Sequence, residues 1–299
     1  MLSKHTESIR EMIKSIISNG FQPGLSIEAR RNFFETTMAP LGLLADTQIE
    51  KINVSNIPAE WVSAPGAQPE RVLLYLHGGG YCIGSCNTHR DLAARLSQVT
   101  GARALSLDYR LAPEHPFPAA VEDATTAFRW LLNEGISSKH IMIGGDSAGA
   151  GLTLATLLSL RDAGERLPAA AIILSGWMDM TCSGESHNIC AHMDIMVRKD
   201  DLKQWREWYI GHVDPPPLLS SPLHGDLRGL PPMIIHVGSD ETLRDDSKLL
   251  AKQAHAAGVE AKLEIWDGMW HVFQQAAVLG VPESQASLNQ IGEFVQKHT

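Results

Sequence analysis

From about residue 70 onward, short apolar runs alternate with stretches of helical periodicity. Residues 72–76, 102–107, 141–143, 170–174, 233–237 and 261–266 read as strands, wholly apolar at 72–76, 141–143 and 170–174. Between and after them, residues 91–99, 119–132, 148 to about 160, 243–257 and 284–297 repeat apolar positions at helical spacing. A strand that is apolar without alternation is buried on both faces, and strands separated by helices pair in parallel. The pattern predicts an α/β fold: a mostly parallel, twisted sheet flanked by helices. Residues 52–54 and 60–62 alternate and precede it, as an antiparallel edge pair would.

Two stretches break the rhythm. Residues 1–45 carry helical patterns and no strand; in them Ile9, Met12, Ile13, Ile16 and Ile17 make one apolar helix face. Residues 180–215 hold many Met, Trp and His and again no strand, and they run into the rigid segment Asp214-Pro215-Pro216-Pro217. The expected division is therefore N-terminal cap helices over 1–45, a core over 46–179 and 216–299, and a cap insertion over 180–215. Ligands of open α/β sheets sit at the carboxyl ends of the strands, so a helical cap there would shape a pocket.

Charge narrows the partners. The net charge of −9 argues against nucleic acid or an anionic membrane, since both reward a basic face. No run is long enough to span a membrane, and the amino-terminal segment lacks the unbroken apolar stretch of a secretion signal, so the expected location is cytoplasmic. Cys82, Cys86, Cys182 and Cys190 form no CxxC pair, which speaks against a zinc site and suits a reducing compartment.

The chemistry starts at Gly145-Asp146-Ser147-Ala148-Gly149. It is a G-x-S-x-G run between a predicted strand and a predicted helix, the context that a nucleophile elbow requires. No Gly-Lys-Ser/Thr follows, so it is not a phosphate loop, and a dinucleotide fingerprint lacks its third glycine. His77-Gly78-Gly79-Gly80 follows the first buried strand and leaves backbone N–H groups bare; with the N–H of Ala148 they can form an oxyanion hole. A catalytic base should come late in the chain. His255 falls inside a helix and His298 in the terminal tail, whereas His271 lies in the aromatic-rich loop after the last strand. The orienting acid should follow the strand at 233–237, where Asp240 and Glu241 are adjacent and the residues alone do not choose between them. Asp245 and Asp246 fall in a first helical turn, where the dipole alone favours acids.

Together these residues resemble the hormone-sensitive-lipase-like (bacterial type IV) carboxylesterases of the α/β-hydrolase superfamily. The resemblance rests on His77-Gly78-Gly79-Gly80, on Asp108 to Glu114 running into Pro116-Phe117-Pro118-Ala119-Ala120, on Gly145 to Gly149, on Ser221-Pro222-Leu223 with Leu230-Pro231-Pro232, and on Gly268-x-x-His271-x-Phe273. It implies a capped α/β-hydrolase that acts on short-chain acyl esters, a small-molecule substrate, with no cofactor and no metal; relatives often form homodimers. It puts the nucleophile at Ser147, the base at His271 and the oxyanion donors at Gly79, Gly80 and Ala148. Many relatives carry Asp-Pro-Leu-x-Asp at the acid. Here the matching run is Glu241-Thr242-Leu243-Arg244-Asp245, which points to Glu241, with Asp240 the runner-up by a one-place shift. Arg110 and Glu114 are expected to pair as scaffold. Rival readings are an amide or formamide hydrolase with the same triad, although Gly80-Tyr81 departs from the formamidase pattern, and a non-catalytic receptor of the same fold, such as the plant gibberellin receptor, which lacks the histidine.

Overall fold

In the computed structural model of the chain, which describes residues 2–20, 22 and 24–299, the apolar runs lie side by side. β1 (Gln48–Val54), β2 (Ile57–Ser63), β3 (Gln68–Leu76), β4 (Ala102–Leu107), β5 (Ile141–Asp146), β6 (Ala170–Leu174), β7 (Met233–Gly238) and β8 (Ala261–Trp266) form one sheet in the order β1-β2-β4-β3-β5-β6-β7-β8. The β1–β2 and β2–β4 ladders are antiparallel, and the others are parallel.

The period of two then sorts side chains between two layers. Val72, Leu74 and Leu76 pack with Ile141, Ile143 and Ile173 under α4 (Ala119–Asn133) and α5 (Ala148–Asp162). Leu73 and Tyr75 pack with Met142, Ile172 and Leu174 under α3 (Cys86–Thr100) and α9 (Pro282–His298). Burial on both faces is why these strands read as unbroken apolar runs. α8 (Arg244–Ala256) follows β7 and adds Leu250, Ala251 and Ala254 to the first layer.

Some boundaries differ from the apolar pattern for local reasons. α3 starts at Cys86, ahead of the first apolar position, because Ser85 and Thr88 form a reciprocal capping box. β3 starts at Gln68, and its register with β4 shifts between Gln68 and Val72, so the polar residues there carry no strand alternation.

The two segments without strands fold as helices. α1 (Lys4–Gly20) and α2 (Ile27–Met38) come from the first of them, and the short α6 (Ser186–Ile189) and α7 (Lys199–Ile210) from the second. Arg30 of α2 reaches Asp201 of α7 at 2.9 Å, tying the two segments to each other. Arg10 of α1 donates to the carbonyls of Gly268 and Met193, each at 3.0 Å, and pairs with Asp240 at 2.7 Å.

Two scaffold expectations are corrected. Arg110 does not pair with Glu114: it engages Asp123 at 2.8 Å and Glu122 at 2.9 Å, both on α4. Glu114 instead takes Arg31 of α2 at 2.7 Å, and Arg31 also donates to the carbonyls of Cys82 and Ala112. The partner that wins is distant in sequence, so local spacing did not reveal it. Asp245 and Asp246, expected to serve only the helix dipole, are anchors. Asp246 is buried and accepts from the backbone N–H groups of Met178 and Asp179, at 2.9 and 3.0 Å, while Asp245 accepts from that of Ser186 at 2.9 Å. Burial pushes the Asp246 carboxyl up to about 7.

Candidate active site

β5 ends in a turn that a serine with an ordinary backbone could not make. Ser147 has φ 54° and ψ −120°, a sparsely populated conformation for a residue with a Cβ. Three backbone bonds over-determine it: Ser147 N–H donates to Leu174 O at 2.8 Å, and its carbonyl accepts from Trp177 at 2.9 Å and Gly151 at 3.2 Å. The flanking glycines are required by space. A Cβ on Gly145 would fall 2.3 Å from the Leu76 carbonyl oxygen, and one on Gly149 would fall 2.0 Å from the same atom. The serine is thereby lifted to the start of α5, whose first free N–H groups favour developing negative charge.

His271, in the loop after β8, lines the same cavity as Ser147. Its Nδ1 lies 2.9 Å from Glu241 Oε2, and the Glu241 side chain is fully buried. The other oxygen, Oε1, accepts from Ser175 Oγ at 2.7 Å and from Gly238 N–H at 2.5 Å. Burial opposes protonation of His271, but the hydrogen bond and charge of Glu241 outweigh it, and the imidazole is held above its ordinary value of 6.5. Asp240 faces away from it: its carboxylate accepts from Ser239 Oγ at 2.8 Å and pairs with Arg10. Of the two adjacent acids, Glu241 alone is hydrogen-bonded to the imidazole.

The glycine loop completes the wall. Gly79 and Gly80 both have positive φ, 114° and 61°. A Cβ on Gly79 would meet the Ile83 carbonyl oxygen at 2.2 Å, and one on Gly80 would meet the Trp205 ring at 2.4 Å. Ala148 opens α5 beside them. One cavity of about 60 Å³ is lined by Gly79, Ser147 and His271 together with Ile17, Phe34 and Trp205. Serine, imidazole and glycine loop thus share one space, shaped on its outer side by α1, α2 and α7.

A family model described as alpha/beta hydrolase fold matches residues 73–275. The chain is 41% identical to an acetyl-hydrolase of Streptomyces hygroscopicus, over 100% of this chain and 98% of the relative. It is 34% identical to an esterase of Acinetobacter venetianus, over 97% and 94%. A crystal structure of an esterase from the bacterial hormone-sensitive lipase family superposes with a TM-score of 0.94 at 45% identity, covering 100% of this chain and 99% of that one. The chain belongs to the hormone-sensitive-lipase group of α/β-hydrolases. It is an ester hydrolase.

Two supports of the site in this hydrolase are not read from the motifs alone. Ser175, just past the carboxyl end of β6, donates to Glu241 and accepts from Val272 N–H at 3.0 Å, so one hydroxyl sets both the Glu241 carboxylate and the chain after His271. Its sequence signal is only its place at a strand end. Asp146 is the second. Its buried carboxylate accepts from Tyr75 Oη and from Gly78 N–H at 3.1 Å, and lies 3.4 Å from His89 Nε2. Burial would raise its pKa, but His89 and these donors hold it below 3.8. Asp146 therefore fastens the glycine loop of β3 to the serine turn of β5. The neighbouring His77 is pushed down to about 4, by burial first and by His89 second, so it stays neutral.

No helix among the described residues is long and apolar enough to cross a membrane. The described residues hold no cluster of three or more metal-ligating side chains, and the four cysteines are free thiols.

Proposed function

We propose that the hydrolase is a serine carboxylesterase that cleaves short-chain acyl esters through a covalent acyl-enzyme on Ser147. The observation that carries this reading is the bond from His271 to the buried Glu241, on the wall that Ser147 shares. Glu241 fixes the imidazole tautomer with the proton on Nδ1, leaving Nε2 as base. Nε2 removes the Ser147 proton as Oγ attacks the ester carbonyl. The N–H groups of Gly79, Gly80 and Ala148 take the oxyanion; each such donor typically contributes about 10²–10³ in rate. The imidazolium then protonates the leaving alcohol, and water repeats the cycle to release the acid. Every proton has a side chain or water to go to, so the steps need neither metal nor cofactor. The 60 Å³ cavity equals roughly two waters' share of liquid volume, which suits a small acyl group. The likeness to an acetyl-hydrolase supports the same choice. Residues 1–45 and 180–215 are the cap in this reading, held together by Arg30 and Asp201. A ligand receptor would not need a base with a buried, fully hydrogen-bonded acid behind it.

The pH profile tests this reading. His271 must be neutral to act as base, and its pKa is raised, so kcat/KM for p-nitrophenyl butyrate should rise with pH through a midpoint above 6.5. In Glu241→Gln the raising charge is gone and burial remains, so the midpoint should move down and the plateau should fall. A profile flat across pH ~5 to ~9 in the wild type would contradict a histidine base.

A further inference from the structure

A second cavity, also of about 60 Å³, adjoins the first and shares Ile17, Met196, Val272 and Gln275 with it. It is enclosed by Met12, Ile13 and Ile16 of α1 on one side and by Trp270, Ala276 and Leu279 on the other. Thr37 and Gln275 are the polar residues of a lining that is otherwise apolar. Its outer end reaches Met12, a side chain left 39% exposed. The inner wall comes from the chain on both sides of His271, namely Trp270 and Val272, and from the 3-10 turn Phe273–Leu279 that follows.

That placement has a direction. In ester cleavage by a serine and a histidine, the carbonyl oxygen points to the oxyanion donors and the leaving oxygen points to the imidazole. What is attached to the leaving oxygen must pass the histidine. The cavity lined by the immediate neighbours of His271 is therefore on the alcohol side, while Gly79, Ile83 and Trp205 bound the first cavity on the side of the glycine loop. Resting on the Ser147–His271 reading, we infer that the second cavity is the subsite for an extended apolar alcohol, and that the substrates are short-acyl esters of such alcohols. A buried methylene contributes about fourfold to binding in a dry apolar site. Two or three of them in this cavity account for a preference of about tenfold or more.

The test uses two isomeric esters of equal carbon count, octyl acetate and ethyl octanoate, with ethyl acetate as the short reference and p-nitrophenyl butyrate as the control for activity. The wild type should hydrolyse octyl acetate with a kcat/KM at least about tenfold above that of ethyl octanoate. Ile16→Trp, at a half-buried position of α1, should lower the ratio of octyl acetate to ethyl acetate by about tenfold. Ala276→Phe should do the same from the opposite wall. If ethyl octanoate is the better isomer, or if neither variant moves the ratio, the assignment of this cavity to the alcohol is wrong. The wild-type comparison decides even where a variant fails to fold. Loss of all ester hydrolysis, p-nitrophenyl butyrate included, would strike instead at the proposed function.

Discussion

Ser147→Ala should lower kcat for p-nitrophenyl butyrate by about 10⁶, to the level left by oxyanion donors and binding alone. The protein should remain folded, with an unchanged thermal transition by circular dichroism. The reason lies in the turn. The φ of 54° is held by bonds from the backbone of Leu174, Trp177 and Gly151, none of which uses the serine hydroxyl. Alanine keeps the same Cβ in the same strained place, so chemistry is lost without the scaffold. A large loss of helix or of cooperative melting in the variant would mean that the hydroxyl supports the fold, and the rate loss could not then be assigned to a missing nucleophile.

The second large effect separates two neighbouring acids. Glu241→Ala should lower kcat by about 10⁴, the size of loss seen when an orienting carboxylate is removed from such a base. Asp240→Ala should cost less than about tenfold, since its partners are Ser239 and Arg10. Glu241→Asp is the informative intermediate. Its carboxylate would fall short of the imidazole by about one C–C bond, and the Ser175 and Gly238 donors would hold it back further. Rates for the purified variants, with KM determined alongside, check this pair. Collapse of activity in Asp240→Ala with Glu241→Ala near wild type would reverse the assignment.

The middle of the sheet was legible because β5, β6 and β7 are buried on both faces and read as apolar runs, while α3, α4 and α9 carry a periodic apolar stripe. The serine turn and the glycine loop were legible for another reason. Both need small residues in a short stretch, and a close approach such as that of Gly149 to Leu76 leaves a mark in the sequence. What stayed hidden depends on contacts between distant segments. Arg31 was free to meet Glu114 only once α2 had folded over the loop at 112–114, and nothing near either residue signals it. Ser175 is a serine among many until the sheet sets it between Glu241 and Val272. Asp246 looked like a first-turn acid because that explanation needs no partner, whereas its backbone partners lie far upstream. The role of Asp146 likewise waited on Tyr75 and His89, which reach it from β3 and α3.

Peptide-level mass spectrometry of protein quenched in acid during turnover of p-nitrophenyl butyrate tests the covalent acyl-enzyme most directly. One butyryl group is expected on the peptide that contains Ser147, present in the wild type, gone after the substrate is exhausted and never formed in Ser147→Ala. A butyryl group on another residue, or active wild-type enzyme with no adduct on that peptide even when deacylation is slowed by acid, would contradict it.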